Sequence, residues 1–374
     1  MITWRDGSVV SVGRAWTGAV ELVVDTADGQ VRALAYPAVV GEVAVGDRVL
    51  LNVTALARGL GTGGYALVVA RPDALPADPP PGPGHLVKGR YTPQQTMVLG
   101  VDEQESEHHP LLRDADDLGG LPVVVADLHS ALPAVVAGAR WSAQVAGRPL
   151  PRVAYVMTDG GALPAWFSRT VATLRDAGWL ASCITVGQSF GGDLEAVTVH
   201  TGLLAARLVV GADLVVVAQG PGNLGTGTRW GFSGVAVGEA LNAAAVLAGR
   251  PVAALRVSGA DLRERHLGVS HHSLTAVGRV ALAPADVVVP VGAVPGDHAR
   301  TALRARVREQ AAGLCTPAGR HTLVEVDAED GLEAALTRTP VRLSTMGRGL
   351  DTDPEAFVAA AVAGVHAERA RSRG

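Results

Sequence analysis

The polar residues that could do chemistry in this chain recur where apolar runs stop. Asp127 and His129 follow "LPVVVA", Asp159 follows "RVAYVMT", and His271–His272 opens "HHSLTAVGRVAL" shortly after "PVAALRV". Aspartate and histidine at such points can exchange protons near neutral pH or ligate a divalent cation. Asp127, His129, Asp159, His271 and His272 are therefore the candidate catalytic set. These types admit Mn²⁺, Zn²⁺ or Mg²⁺, but no spacing such as H-E-x-x-H selects a metal or assigns its ligands. Neighbours on a helix point about 100° apart, so at most one of His271 and His272 is expected to face a given ligand. The same residues could also do no more than cap backbone groups at strand and helix ends.

The stretch "AQGPGNLGTGTRWGFSG" (218–234) ends another apolar run, and Gly220, Gly222 and Gly225 satisfy G-x-G-x-x-G. The preceding strand suits a dinucleotide fold. The helix, however, is delayed to about Ser233, and no acid closes the next strand at about 20 residues. Glu239 falls inside the expected helix and Asp261 comes too late. NAD is therefore not expected. A Walker loop fails too, because no lysine precedes the threonine of "GPGNLGTGT". Two readings remain. Backbone N–H groups with Thr226, Thr228 and Arg229 hold an anion or phosphate, or the glycines serve only a tight turn. Asp193 in "GQSFGGD" and Arg263 in "SGADLRERH" lie at the same kind of strand end and join the ligand-binding candidates.

"GQSFG" is a formal G-x-S-x-G match around Ser189. A nucleophile elbow needs a helix at once, then an acid and a histidine in that order. "GGDLEAV" delays the helix, and Asp261 with His266 or His271 meets the order only loosely. Lys88, the single lysine of the chain, lies in "GHLVKGRYTP". With Leu86 and Arg90 on one side of an extended segment, it could clamp a phosphate or carboxylate. The alternative is a solvated edge strand, where lysine discourages aggregation.

These residues need elements to hold them. Residues 1–72 read as an all-β, barrel-like module: "SVVSVGRAW", "AVELVVDT", "QVRALAYP", "DRVLLNV" and "YALVVAR" are short β runs between Gly and Asp turns. Few aromatics accompany them, so nucleic-acid binding is not expected. "PDALPADPPPGPG" (72–84) carries six prolines and marks an extended linker over 73–84. Thr92 and Pro93 predict a helix over "TPQQTMVLGVDEQE". From residue 121, continuous apolar runs alternate with Ala/Leu-rich stretches such as "LEAVTVHTGLLAARLVVGA". That pattern predicts a doubly wound, mostly parallel α/β sheet over 85–374. Ligands of such sheets bind beyond the carboxyl ends of the strands, where the polar residues recur.

Composition sets the outer limits. The chain has 374 residues, 48% hydrophobic and 18% charged, with a net charge of −4. No global basic field draws it to nucleic acid or an anionic membrane. No apolar run reaches the roughly 18 residues of a membrane span, and no secretory signal is evident, so a cytoplasmic location is expected. The two cysteines, Cys183 and Cys315, have no metal-ligand spacing and fit a reducing compartment. Ala/Leu-rich helices such as 234–248 suit a core or a homo-oligomer interface equally.

"GHLVKGRYTPQQ", "VVVADLHSALPAVVAG", "VAYVMTDGGALPAWFSR", "GQSFGGDLEAVTVHTGLLAAR", "QGPGNLGTGTRWGFSG" and "RERHLGVSHHSLTAVGRVAL" resemble the bacterial family called domain of unknown function 3866. The resemblance spans essentially the whole chain and implies no activity. The residues themselves lead to an enzyme of group transfer or hydrolysis, acting on a small anionic, phosphorylated or nucleotide-like molecule. The second reading is a non-catalytic sensor or scaffold whose β module docks a protein or nucleic acid.

Overall fold

The β-branched runs of the first 72 residues pair as the sequence predicts. In the computed structural model, which describes residues 1–328 and 330–371, they form β1 (Trp4–Trp16), β2 (Ala19–Thr26), β3 (Gly29–Ala35), β4 (Arg48–Asn52) and β5 (Ala66–Ala70). The strands close in the order β1-β2-β3-β5-β4. Only the β3–β5 pair is parallel, the Greek-key closure of an OB-type barrel. The register of the long β1 slips twice against β2. Such bulges bend a strand so that a small barrel can close. Inward residues such as Leu22, Val24, Val49 and Leu51 fill the interior. A short helix, α1 (Pro37–Val40), links β3 to β4.

Two compact units divide the chain: Met1–Leu99 with Trp166–Ala172, and the remainder. The proline-rich run and residues 85–99 thus belong with the barrel rather than with the α/β part. The helix expected from Thr92 does not form. Leu86–Lys88 (β6) and Thr96–Val98 (β7) pair as an antiparallel hairpin instead. The Thr92 hydroxyl donates to the Gly89 carbonyl at 2.7 Å, and Gly89 and Tyr91 both take positive φ. The chain reverses there, so Thr92 serves the turn and caps nothing.

The second unit is a doubly wound sheet. Its strands are β8 (Pro122–Ala126), β9 (Val153–Thr158), β10 (Ser182–Thr185), β11 (Leu194–Glu195), β12 (Leu214–Gln219) and β13 (Arg250–Ala254), then, after a ribbon of β14 (Val257–Ser258) and β15 (Gly268–Val269), β16 (Asp286–Val291) and β17 (Thr322–Asp327). A last ribbon pairs β18 (Ser344–Thr345) with β19 (Arg348–Gly349). The eight strands run in the order β11-β10-β9-β12-β8-β13-β16-β17, parallel at every pairing. The middle strands are buried on both faces, which is why "PVVVA" and "LVVVAQ" show no alternation.

The helices after the barrel are α2 (His109–Leu112), α3 (Leu132–Val145), α4 (Arg169–Asp176), α5 (Val199–Leu208), α6 (Ala236–Val246), α7 (His271–Thr275), α8 (His298–Ala312), α9 (Asp330–Thr337) and α10 (Pro354–Arg371). α3, α9 and α10 pack together on one face, while α5, α6 and α8 share a core with the other. The stretch read as helical from Leu194 begins as β11, and α5 starts only at Val199, capped by Thr198. Among the described residues no helix is long and apolar enough to cross a membrane.

Candidate functional site at the β8–β13 strand ends

A parallel sheet opens a crevice where adjacent strands send their connections in opposite directions. From β8 the chain moves to β9 on one side, and from β13 to β16 on the other. The residue following β8 is Asp127, only 4% exposed. Two residues past β13 stands Arg256, whose Nη1 lies 3.5 Å from Asp127 Oδ2. His272 Nδ1 lies 3.3 Å from the same oxygen and 3.3 Å from Arg256 Nη1. Asn223 donates to Asp127 Oδ1 at 3.1 Å, and Gln219, ending β12, donates to the Asp127 carbonyl at 3.0 Å. Gln219 Oε1 is buried with no hydrogen-bond partner among the described residues. Gly234 permits this arrangement, since a methyl there would overlap Asp127 Oδ1. A cleft at this point is lined by Asp127, Ser130, Arg256, Ser258, Thr345 and Arg348.

The chain after β13 brings three histidines to the same place. Ser270 caps α7 by accepting the His272 N–H, which fixes His271 and His272 in the first turn. A π-helical turn, Ala276–Val280, follows directly. His266, on the preceding 3-10 turn, holds its Nδ1 2.7 Å from Ser270 Oγ. One ring nitrogen from each of His266, His271 and His272 lies within 4.8 Å of the other two. Phe232 stacks on His272 with ring centroids 3.9 Å apart and 5° between planes. Burial, with the Arg256 and Arg263 charges, pushes His266 down to about 3. Burial and the neighbouring His272 lower His271 as well. Both imidazoles are thus neutral near pH 7. Nearby, His129 Nδ1 lies 3.0 Å from the buried Tyr155 hydroxyl. Burial outweighs its bond to the Gln219 backbone and lowers it to about 4. The Arg256 guanidinium beside these rings can attract an anion.

A family model described as "Protein of unknown function (DUF3866)" matches residues 32–364. The chain belongs to that family. No curated protein matches the chain, and no solved structure does. The DUF3866 match takes in Asp127, Arg256 and all three clustered histidines.

Of the residues singled out in this DUF3866 chain, Asp127, His271 and His272 meet at the crevice. The expectation that His271 and His272 diverge does not hold: their ring centroids are 4.4 Å apart. The 100° between adjacent positions is bridged by side-chain rotation, with His272 held flat on Phe232. Asp159 is exposed at the end of β9 and accepts the Gln188 N–H at 2.8 Å. Asp193 accepts the Cys183 N–H and pairs with Arg175, tying the sheet edge together. Arg263 is held by Asp261 through two 2.9 Å bonds. Lys88 lies in the first unit and is 2% exposed, so it is not a solvated edge residue. Ser189 is wholly buried, unlike the exposed serine of a nucleophile elbow.

The glycine loop folds on itself. Thr226 and Thr228 hydroxyls lie 3.1 Å apart and both engage the Gly231 backbone. Gly222 takes φ +98°, while a side chain at Gly220 would overlap the Ala162 carbonyl. A side chain on Gly225 would meet only the Gly231 carbonyl oxygen, at 4.0 Å. Arg229 is exposed. A side chain on Gly227 would come within 3.7 Å of Arg265 Nη2, so the loop tip lies beside Arg265, next to the histidines.

Arg256, Gln219 and Asn223 were not singled out in the sequence. Arg256 stands where the strand-end rule points, but "AALRVSGAD" reads as one run and hides the strand's end at Ala254. The sequence marks His266 only as one of the polar residues after the strand ends and as a loose triad partner for Ser189. Its place beside His271 depends on the β14–β15 ribbon, which returns the chain across 257–269.

Proposed function

We propose that the protein is an enzyme of hydrolysis or group transfer, acting on a small anionic, phosphorylated or nucleotide-like molecule at the β8–β13 crevice. The observation that carries this reading is the meeting of buried Asp127 with Arg256 and His272 at the sheet's switch point. Arg256 and the exposed Arg265 supply positive charge for the anion, and the 220–231 loop is tied to the site through the Asn223 bond to Asp127. His272, oriented by Asp127 Oδ2 at 3.3 Å, and His129 are the imidazoles that this reading assigns as proton acceptors. Asp159 and Arg229 are assigned no catalytic step in this reading.

The test is a panel of nucleotides and phosphate esters, scored by thermal shift and by mass spectrometry for turnover. Turnover lost in folded Asp127→Asn and Arg256→Met variants supports the reading. A ligand that binds there and is recovered unchanged supports the sensor instead. Unaltered turnover in both variants refutes the assigned site.

A further inference from the structure

We propose that His266, His271 and His272 together bind one divalent transition-metal ion of the zinc class, leaving a coordination position for water or the anion. The metal site is argued from geometry alone, whereas its use in turnover rests on the function proposed above.

The three ring nitrogens already lie within 4.8 Å of one another. Imidazoles bound to zinc at about 2.0–2.1 Å in tetrahedral geometry place their nitrogens roughly 3.4 Å apart. Contraction from 4.8 Å needs less than about 1 Å from each ring, within reach of side-chain rotation. His266 and His272 are 2% and 8% exposed. The Nε2 of His271 is buried and has no hydrogen-bond partner among the described residues. A buried polar atom left unmet is destabilising, and a metal would relieve it.

The surroundings of the cluster also suit a metal. A ligating histidine usually donates its other ring N–H to a carboxylate, hydroxyl or carbonyl, which fixes its tautomer. His266 has Ser270 Oγ at 2.7 Å from Nδ1, and His272 has Asp127 Oδ2 at 3.3 Å from Nδ1. In both rings that donation leaves the Nε2 lone pair for an ion. Arg256 competes for the His272 Nδ1 from the same distance, and a bound ion would select the tautomer that donates to Asp127. Phe232 closes the apolar side of the site. Three imidazoles favour zinc, copper, nickel or iron over magnesium or calcium, which prefer oxygen.

A competing account treats the three rings as aromatic packing around Phe232. The two separate on titration of the full-length, chelator-treated protein with Co²⁺ and Zn²⁺. The proposal expects one ion per chain, with the visible absorption of four- or five-coordinate Co²⁺ and its displacement by Zn²⁺. His271→Phe preserves an aromatic ring beside Phe232, so it should fold as wild type yet lose binding at least about 100-fold. Asp127→Asn should weaken binding about 10- to 100-fold. His200→Ala, at an exposed position of α5, should leave it unchanged. Absence of stoichiometric binding overturns the proposal, as does full binding by folded His271→Phe. Chelator-resistant turnover would remove the metal and leave the enzyme, whereas tight Co²⁺ binding without turnover would do the reverse.

Discussion

Gly234→Ala should damage the site from a position that touches no ligand. Gly234 lies in the 3-10 turn Ser233–Val235 that leads into α6, with no positive φ. On backbone grounds alone, alanine there should stabilise by about 0.4–1 kcal/mol. Its methyl, however, would stand 2.7 Å from Asp127 Cγ and closer still to Oδ1. Asp127 must then swing away from Asn223, His272 and Arg256. Its side chain is 3% exposed, and stripping a partner from a buried charge costs about 3–5 kcal/mol. Taking the lower end, the net loss is about 2–3 kcal/mol. In an Asp127→Ala background the obstacle is gone, and the next atom is Phe232 Cδ2 at 3.4 Å, an ordinary contact. There the same substitution should be neutral or stabilising. The sign change gives a coupling of about 3 kcal/mol. Urea denaturation followed by circular dichroism, which reads the helices of the α/β unit, measures all four corners of the cycle. Equal destabilisation in both backgrounds, within about 0.5 kcal/mol, would show that Gly234 does not hold Asp127 in place.

Three further outcomes follow from the same packing. Burial alone would raise the Glu368 carboxyl, but bonds from Arg148 and Ser142 and the Arg148 and Arg371 charges hold it below its usual value. A depressed folded value means stability present above the unfolded value of about 4.3 and lost as pH falls through the folded one. Glu368→Gln should therefore cost about 2 kcal/mol at pH 7, with the gap to wild type closing in acid; a gap independent of pH would contradict this. Leu203→Ala, in the buried face of α5, should cost about 3 kcal/mol in denaturation, whereas Leu262→Ala, fully exposed, should stay within about 0.5. Tyr155→Phe removes the hydroxyl shared by His129 and the Ala218 and Gln219 carbonyls. It should cost about 1–2 kcal/mol and shift the His129 ring resonances; unchanged resonances would detach His129 from Tyr155.

Much of the architecture was legible because burial writes itself into residue type. A strand covered on both faces must be apolar throughout, so "LPVVVA", "AYVM" and "LVVVA" declare a parallel sheet. The barrel strands were equally plain from β-branched runs between turns. Over 92–105 the local pattern is ambiguous, because a threonine before a proline can cap a helix or close a turn. Only the tertiary pairing of Leu86–Lys88 with Thr96–Val98 decides between them. The site was half legible. Asp127, His271 and His272 stand at strand and helix ends that local pattern marks. Arg256 does not, and the meeting of His266 with the other two histidines is not marked either, because these approaches depend on strand order and on the β14–β15 ribbon, both non-local. The glycine loop misled in the opposite way: Gly225 completes a motif on paper while its surroundings ask nothing of it.

Asp127 joins the two proposals, and that junction makes them separable in one experiment. Its Oδ1 holds Asn223 of the glycine loop, and its Oδ2 faces both His272 and Arg256. The His272 Nδ1 can either accept from Arg256 or donate to Asp127, not both. An ion on the Nε2 side requires donation, which turns Arg256 away from His272 and frees its N–H groups for an anion. Metal and anion should then bind cooperatively, and linkage requires the effect to be equal in both directions. A coupling of one charge-assisted hydrogen bond, about 1.5–3 kcal/mol, corresponds to roughly 10- to 150-fold in affinity. Co²⁺ titrations with and without saturating inorganic phosphate measure one direction, and phosphate titrations with and without Zn²⁺ measure the other. Arg256→Met should abolish the coupling while leaving Co²⁺ bound. If Co²⁺ affinity is indifferent to phosphate in wild type, Arg256 is not shared between His272 and the anion, and the two sites are independent.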